Sequence, residues 1–178
     1  MNNGLTDVVI TALGYLTILG QILIPVLIIL LFVSPKKKNK LSQMALYVKE
    51  NALTLIFIIA SVATLGSLFL SEVASFVPCK LCWWQRIFMY PTAVISFIAL
   101  LRNDKKSAFY ILPLGIIGGT IAAYHYVMQL FPNLLECSEE VAKCSTIQFA
   151  QYGYITIPVM ALTAFLLIAI SSLYLLKK

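Results

Sequence analysis

The sequence PCKLCWWQRIFMYPTAVISFIALL, at residues 78–101, joins a C-x-x-C motif to a long apolar run. The run reaches the roughly 20 residues that a helix needs to cross a bilayer only if Gln85 and Arg86 belong to its first turn. Two cysteines, Cys79 and Cys82, are therefore predicted at one end of a membrane-spanning helix. This stretch indicates both a helical membrane protein and a place for thiol chemistry.

Four further uncharged apolar runs are long enough to cross the hydrocarbon core. They are Val8 to Val33, Ala52 to Leu70, Ala108 to Phe131 and Ile155 to Leu176. Because the runs are continuously apolar, without a period of two, they predict helices and not barrel strands. The chain is 61% hydrophobic and 11% charged, with a mean hydropathy of +0.93, which excludes an ordinary soluble domain and a disordered chain. We predict an all-α polytopic membrane protein with five spans.

The basic residues predict how these spans are oriented. Ten of the thirteen Lys and Arg lie in three segments, which follow the first, third and fifth runs: Lys36, Lys37, Lys38, Lys40, Lys49; Arg102, Lys105, Lys106; Lys177, Lys178. By the positive-inside rule these segments are cytoplasmic, so the N-terminus lies outside, the C-terminus inside, and loops 71–82 and 132–154 on the outer face. The net charge of +6 then matches anionic lipid and does not indicate nucleic acid.

All four cysteines fall in the two predicted outer loops, Cys79 and Cys82 in the first and Cys137 and Cys144 in the second. Outside a bacterial cytoplasmic membrane, disulfides form and persist. A helix N-terminus, with Arg86 one turn further on, favours a thiolate, so the C-x-x-C pair is interpreted as redox-active and not as a structural staple. The second pair stands among acidic residues, which fits either a disulfide that is attacked from outside or a purely structural one.

Several residues near the first pair have two interpretations. Arg86 is either an interfacial anchor or a donor to the carbonyl of a lipid-soluble redox cofactor. Trp83, Trp84 and Tyr90 form an aromatic belt or flank the ring of that cofactor. His125, inside the fourth run, either has a functional role or hydrogen-bonds a neighbouring helix. A structural zinc site is disfavoured by the C-x6-C spacing and the two helices between the pairs, so no metal is expected.

At these residues the sequence resembles the disulfide-bond formation protein B family. Its members are membrane thiol oxidases that pass electrons from an extracytoplasmic thioredoxin-like oxidase to quinone. The resemblance covers roughly residues 65–176 and is similar to the Gram-positive type, which has a short second loop. It is carried by PCKLCWWQR, by the second cysteine pair, by His125-x-x-x-Gln129-x-x-Pro132, and by Gln148, Gly153 and Pro158.

The resemblance implies a role for each candidate residue. Cys79 and Cys82 would form the disulfide that quinone regenerates, either ubiquinone or menaquinone, with Cys82 facing its ring. The residues expected around the quinone are Arg86, His125, Trp83 and Gln85. Cys137 and Cys144 would form the second disulfide, with Cys137 joining the soluble thioredoxin-fold oxidase in a mixed disulfide.

The chain departs from the family pattern of four helices with both termini inside. We expect residues 51–178 to form the four-helix oxidase bundle, and residues 1–50 to add a helix and a basic cytoplasmic segment. Two other functions stay open. One is a non-catalytic membrane scaffold with structural loop disulfides. The other is a vitamin K epoxide reductase-like enzyme, in which the C-x-x-C follows the loop pair, the reverse of the order here.

Overall fold

The computed structural model describes residues 3–32, 40–131 and 144–177. Within these ranges five α-helices follow one another along the chain. They are α1 (Asn3–Phe32), α2 (Lys40–Leu68), α3 (Lys80–Arg102), α4 (Ala108–Leu130) and α5 (Ile157–Leu176). The described ranges contain no β-strand, only one isolated antiparallel bridge between Gln151 and Ile155. The prediction of an all-helical chain is confirmed.

Each of the five helices is long and apolar enough to cross a membrane, as the five apolar runs predict. The largest difference is in α2, which begins at Lys40 and not at Ala52, and which continues beyond Leu68 as a π-helical turn, Phe69–Val73. Charged residues end the apolar run in the sequence, but the residues between Lys40 and Ala52 are mostly good helix formers. The helix therefore runs unbroken through residue 50, where the sequence suggested a boundary.

Glycines on α4 allow α5 to approach closely. A Cβ at Gly118 would lie 2.3 Å from the ring of Phe165, and one at Gly115 would lie 3.4 Å from Ile168. Both side chains of α5 are fully buried. Gly119, one turn beyond Gly115, also faces Phe165. These three glycines thus lie in the contact between α4 and α5.

Helix α1 lies along α5 and also contacts α2. A Cβ at Gly20 would lie 2.9 Å from Thr163 Cγ2 and 3.0 Å from Leu167 Cδ1, so the absence of a side chain lets the two helices meet. Further along, the Tyr174 hydroxyl donates a hydrogen bond of 2.6 Å to the carbonyl oxygen of Leu27. The first helix is thus a packed member of the bundle.

One end of the bundle, which we call the cysteine end, contains the connection 74–79 between α2 and α3 and the segment 144–156 before α5. Gln148 Nε2 donates a hydrogen bond of 2.8 Å to the carbonyl oxygen of Val77 and so holds the two segments together. The connection between α2 and α3 is short because both helices extend into the predicted loop 71–82.

Candidate thiol redox site

The start of α3 places the C-x-x-C cysteines side by side. Cys79 is the N-cap residue, with an extended backbone (φ −76°, ψ 173°), and Cys82 is the third residue of the helix. Their Sγ atoms lie 3.3 Å apart. Cys79 is buried, whereas Cys82 is only half-buried. The two sulfurs are close enough to share a proton as thiols and to be joined as a disulfide after a small movement.

Positive electrostatic groups surround the Cys82 sulfur. As the third helical residue it faces the unpaired N–H groups of the first turn, and it accepts a hydrogen bond from the backbone of Cys79. Arg86, one turn further along α3, is near enough for its charge to act on this sulfur. This is the environment that the C-x-x-C and Arg86 spacing predicts for an exchange-active cysteine.

The Cys79 thiol has the opposite character. Its pKa is raised from 9.0 to about 12, first because it donates a hydrogen bond to Cys82 and second because it is buried; the nearby His125 opposes this shift. A group with so high a pKa keeps its proton at neutral pH. In the reduced pair, Cys79 is therefore the hydrogen-bond donor and Cys82 the acceptor.

His125, fully buried on α4, connects Cys79 to α3. Its Nδ1 lies 3.1 Å from Gln85 Nε2, which donates a hydrogen bond to it. Its Nε2 lies 3.1 Å from the carbonyl oxygen of Cys144 and 3.7 Å from Cys79 Sγ. Since a carbonyl oxygen can only accept, Nε2 carries the proton, and this assignment rests on the hydrogen-bond network. Gln85 thus fixes the ring so that Nε2–H is donated to the Cys144 carbonyl, with Cys79 Sγ close to the same nitrogen.

The ligand atoms of Cys79, Cys82 and His125 lie within 4.8 Å of one another, a spacing that a metal ion could bridge. The tautomer argues against this use. A nitrogen that donates its N–H to the Cys144 carbonyl has no lone pair to offer a metal. The hydrogen bonds favour thiol chemistry at these three residues.

The second cysteine pair is described only in part. Cys144 is buried in a cluster with Cys79 and Met128, so the second loop reaches the first pair. Cys137 and the acidic residues around it lie outside the described residues. A pocket of about 20 Å³ lies beside these side chains and is lined by both C-x-x-C cysteines, His125, Gln129 and Cys144. We call it the small pocket; it is large enough for one water molecule.

Arg86 is 8% exposed and is held by a residue that the sequence gave no reason to select. Its Nε donates to Ser67 Oγ and its Nη2 to the Ser67 carbonyl oxygen, both at 3.0 Å. The Trp83 ring covers the guanidinium, with 5.1 Å from Cζ to the ring centroid. Two of the five N–H groups of Arg86 are used by Ser67, which leaves three for another acceptor.

A cavity of about 350 Å³ lies on this side of the cysteine pair and is lined almost entirely by apolar side chains. We call it the large cavity. Its polar groups near the cysteine end include Cys82, Gln85 and Arg86. Tyr90 also lines it, and the buried Tyr90 hydroxyl has no hydrogen-bond partner among the described residues. This volume is in the range of small-molecule sites, and the polar groups converge at one end.

The structure separates the candidate residues into two sets. Gln85 and Arg86 line the large cavity, whereas His125 lines only the small pocket and reaches the large cavity through Gln85. Trp83 is half-exposed and stacks on Arg86 without lining either space. The sequence did not indicate Ser67 or the contact between Gln85 and His125, because both depend on the pairing of different helices.

Comparison with known proteins adds an independent finding. The family described as "Disulfide bond formation protein DsbB" matches residues 49–175. The chain is 43% identical over 123 residues to the SPbeta prophage-derived disulfide bond formation protein B of Bacillus subtilis, which covers 68% of this chain and 82% of that protein. It is 44% identical over 117 residues to disulfide bond formation protein C of the same organism, covering 64% and 84%. No solved structure matches the chain significantly.

Proposed function

Since the chain belongs to the DsbB family of disulfide bond formation proteins, we propose that it is a membrane thiol:quinone oxidoreductase that reoxidises an extracytoplasmic thioredoxin-fold oxidase. Family membership and the five apolar helices establish a multi-pass membrane protein that acts in disulfide formation. The electron acceptor, the protein partner and the residue roles are the proposal. It rests above all on one observation, an apolar cavity that ends at Cys82 and Arg86.

The large cavity fits the chemistry of a quinone. A quinone has an apolar ring and two carbonyl oxygens that only accept hydrogen bonds. The remaining N–H groups of Arg86 and the unpartnered hydroxyl of Tyr90 are donors, and they lie one helical turn apart on α3. The donors at one end and the apolar walls elsewhere match such a ligand, and either ubiquinone or menaquinone meets these requirements.

The bound quinone would supply a two-electron, two-proton acceptor that leaves as quinol. The protein residues have separable tasks beside it. Arg86 orients the acceptor and stabilises negative charge, while Cys82 presents its sulfur at the cavity wall. Cys79 would hold the second proton until its sulfur attacks Cys82, and as that proton leaves for the quinone the developing negative charge on Cys79 would be stabilised by His125, whose Nε2 lies 3.7 Å away. The balance is one dithiol oxidised to one disulfide for each quinone reduced.

The second pair would connect this site to the soluble partner. The reduced partner attacks the disulfide of Cys137 with Cys144 and leaves oxidised, so the two loop cysteines become thiols. They reduce the Cys79–Cys82 disulfide by exchange through a mixed disulfide, again with two electrons moved and no net change in sulfur bonds. The burial of Cys144 in the cluster with Cys79 supports this order.

We propose that the cysteine end faces the extracytoplasmic side of a bacterial cytoplasmic membrane. The basic residues at the other end of the bundle support this orientation. Of these, six lie in the described ranges: Lys40, Lys49, Arg102, Lys105, Lys106 and Lys177. A dithiol partner in the oxidising compartment and an acceptor in the lipid would then meet at one protein.

The test uses the purified protein in lipid nanodiscs, with a reduced thioredoxin-fold oxidase and menaquinone-4 or ubiquinone. We expect quinone reduction in the wild type and a loss of at least about a thousandfold in Cys79→Ala and in Cys82→Ala, because neither can close the disulfide. A Leu65→Ala variant, at an exposed α2 residue away from the cavity, serves as the control. Turnover retained in either cysteine variant would leave a scaffold with structural disulfides as the better explanation.

A further inference from the structure

Helix α1 lies outside the residues that match the family, yet it forms one wall of the large cavity. Residues Leu13, Leu16, Thr17, Leu19, Gly20 and Leu23 all line it. They span about three turns in the middle of α1. This wall is as much a part of the cavity as the walls provided by α2 and α5.

The large cavity continues well beyond the polar groups at its cysteine end. On α3 it is lined only from Cys82 to Tyr90, whereas on α2 it is lined from Leu55 to Ser67, which is about 18 Å at the rise of an α-helix. Beyond Tyr90 the walls come from α1, α2 and α5, and the polar residues among them are Thr17 and Thr163. The part of the cavity beyond Tyr90 is therefore a mostly apolar space that leads away from Arg86.

Helices α1 and α2 are in contact near both ends of this part of the cavity. Near the cysteine end, Leu13 packs against Gly66, where an added Cβ would lie 3.2 Å from Leu13 Cδ2. Near the opposite end, Leu27 of α1 and Ala52 of α2 belong to one buried cluster. The facing stretches between these contacts are 16–23 of α1 and 55–62 of α2.

Residues 16–23 of α1 and 55–62 of α2 form the rim of an opening into the large cavity. Leu16 and Leu19 on α1, and Ile58 on α2, line the cavity and yet are each 51–53% exposed. Leu23 and Val62 line it too and are 37% and 39% exposed. A side chain that is exposed on the outside and also lines the cavity marks an opening. In a membrane protein, this opening faces lipid hydrocarbon.

We propose that α1 and α2 form a lateral portal through which the isoprenoid tail of the quinone extends into the lipid, so that the first helix is part of the quinone site. The inference rests on the proposed function, since it concerns the same ligand. The ring lies among the donors at the cysteine end, and the tail follows the apolar space to the rim. The first helix thereby selects for a prenylated acceptor over a bare ring.

Polar contacts hold α1 in this position at the cysteine end. Tyr154 donates a hydrogen bond of 2.8 Å to Gln21 Oε1, and the rings of Tyr15 and Tyr152 lie 5.8 Å apart. These contacts come from the segment before α5, which also contacts the connection to Cys79 through Gln148. The wall of the portal is therefore fixed to the same segment that covers the cysteines.

The portal is tested with Leu19→Trp, which narrows the rim, and Ile22→Trp as the matched control, since Ile22 is a similarly exposed α1 residue that does not line the cavity. The probes are menaquinone-4 and menadione, which have the same ring with and without a tail. We expect Leu19→Trp to raise KM for menaquinone-4 about tenfold and to leave KM for menadione within about twofold. Val62→Trp should act like Leu19→Trp, and Ile22→Trp should change neither constant.

Equal effects of Leu19→Trp and Ile22→Trp, or equal effects on both probes, would overturn the portal. Normal turnover of menadione shows in the same experiment that each variant is folded. A second measurement does not depend on turnover: a menaquinone analogue with a diazirine at the end of its tail is photolysed with the wild-type protein, and labelled peptides are mapped by mass spectrometry.

We expect the label in 16–23 and 55–62, and its loss on competition with menaquinone-4. Labelling on the face between α3 and α4 would contradict the portal. The portal and the proposed function can fail separately. Rim labelling by a wild-type protein that reduces no quinone contradicts the function alone, whereas turnover of menaquinone-4 that is insensitive to Leu19→Trp contradicts the portal alone.

Discussion

On one side of the Cys79–Cys82 pair lies an apolar cavity of about 350 Å³, and on the other a pocket of about 20 Å³ lined by His125, Gln129 and Cys144. Cys82 lines both spaces, whereas Cys79 lines only the smaller one. The difference separates two tasks within a motif of four residues. Cys82 can react with something that arrives from the lipid, while Cys79 keeps a proton and faces the second loop.

The large cavity depends most on Arg86. In Arg86→Gln we expect KM for quinone to rise about thirtyfold or more, because a hydrogen bond from a charged donor is lost in a buried site. KM for the reduced protein partner should stay within about twofold. Steady-state kinetics with each substrate varied in turn measures both. Arg102→Gln, at the other end of α3, is the control, and an unchanged quinone KM in Arg86→Gln would reduce Arg86 to an interfacial anchor.

The small-pocket side can be probed by alkylation of Cys79. With its pKa raised to about 12, the Cys79 thiol should react with iodoacetamide at pH 8 at least about thirtyfold more slowly than it does in the denatured protein. A higher pKa leaves a smaller fraction of Cys79 as thiolate in the folded protein. Each thiolate is a stronger nucleophile, which offsets only part of this loss in rate. The rate should rise about tenfold per pH unit well beyond pH 9, whereas an ordinary thiol levels off there.

Mass spectrometry of the reduced protein gives the alkylation rate of each cysteine. In Cys82→Ala the hydrogen bond that contributes most to the raised pKa is gone, so alkylation of Cys79 should accelerate. A plateau of the wild-type Cys79 rate near pH 9 would mean that the two sulfurs do not differ as described.

Gln85 connects the two sides, since it lines the large cavity and donates to His125. In Gln85→Met the His125 ring loses the partner that fixes its tautomer, so kcat should fall about tenfold. A rise of quinone KM as large as that in Arg86→Gln would instead place the main role of Gln85 in binding. Gln85→Glu keeps the shape of the side chain, but its ionised carboxylate only accepts hydrogen bonds and cannot donate to Nδ1, so kcat should stay low. A kcat near that of the wild type in Gln85→Glu would argue for a packing role.

Ser67 should give the smallest effect. In Ser67→Ala, Arg86 loses the hydroxyl acceptor of Nε but keeps the carbonyl acceptor of Nη2, so quinone KM should rise about threefold. Ser71→Ala, in the π-helical turn that follows α2, is the comparison, because among the described residues its hydroxyl bonds only to the carbonyls of Ser67 and Leu68 and to Glu72. Equal effects of the two variants would show that Ser67 does not position Arg86.

The sequence was sufficient for the parts of this molecule that depend on local pattern. Five apolar runs predicted five helices, and the spacing of Cys79, Cys82 and Arg86 predicted three side chains around the first turns of one helix. The beginning of α2 at Lys40 was missed because charge ends an apolar run without ending a helix. Helix propensity and burial of Ser42 and Ala45 continue the helix there.

Contacts between helices far apart in the sequence were not predictable from a single chain. Arg86 meets Ser67 because α2 and α3 lie side by side, and Gln85 meets His125 because α3 and α4 do. Neither pair has a spacing that could reveal it. The position of α1 is a stronger case. Its few polar residues, such as Thr17 and Gln21, do not form a polar face, so no pattern shows which side of the helix packs on α5 and which lines the cavity.

The most direct test of the account is a single turnover of the Cys79–Cys82 pair. A Cys137→Ser, Cys144→Ser variant is fully reduced in nanodiscs and mixed with menaquinone-4. Quinol is followed by absorbance and the disulfide by mass spectrometry after acid quenching. We predict one quinol formed for each Cys79–Cys82 disulfide, with the same time course. Quinol formation without that disulfide, or thiols that remain reduced in the presence of excess quinone, would contradict the account.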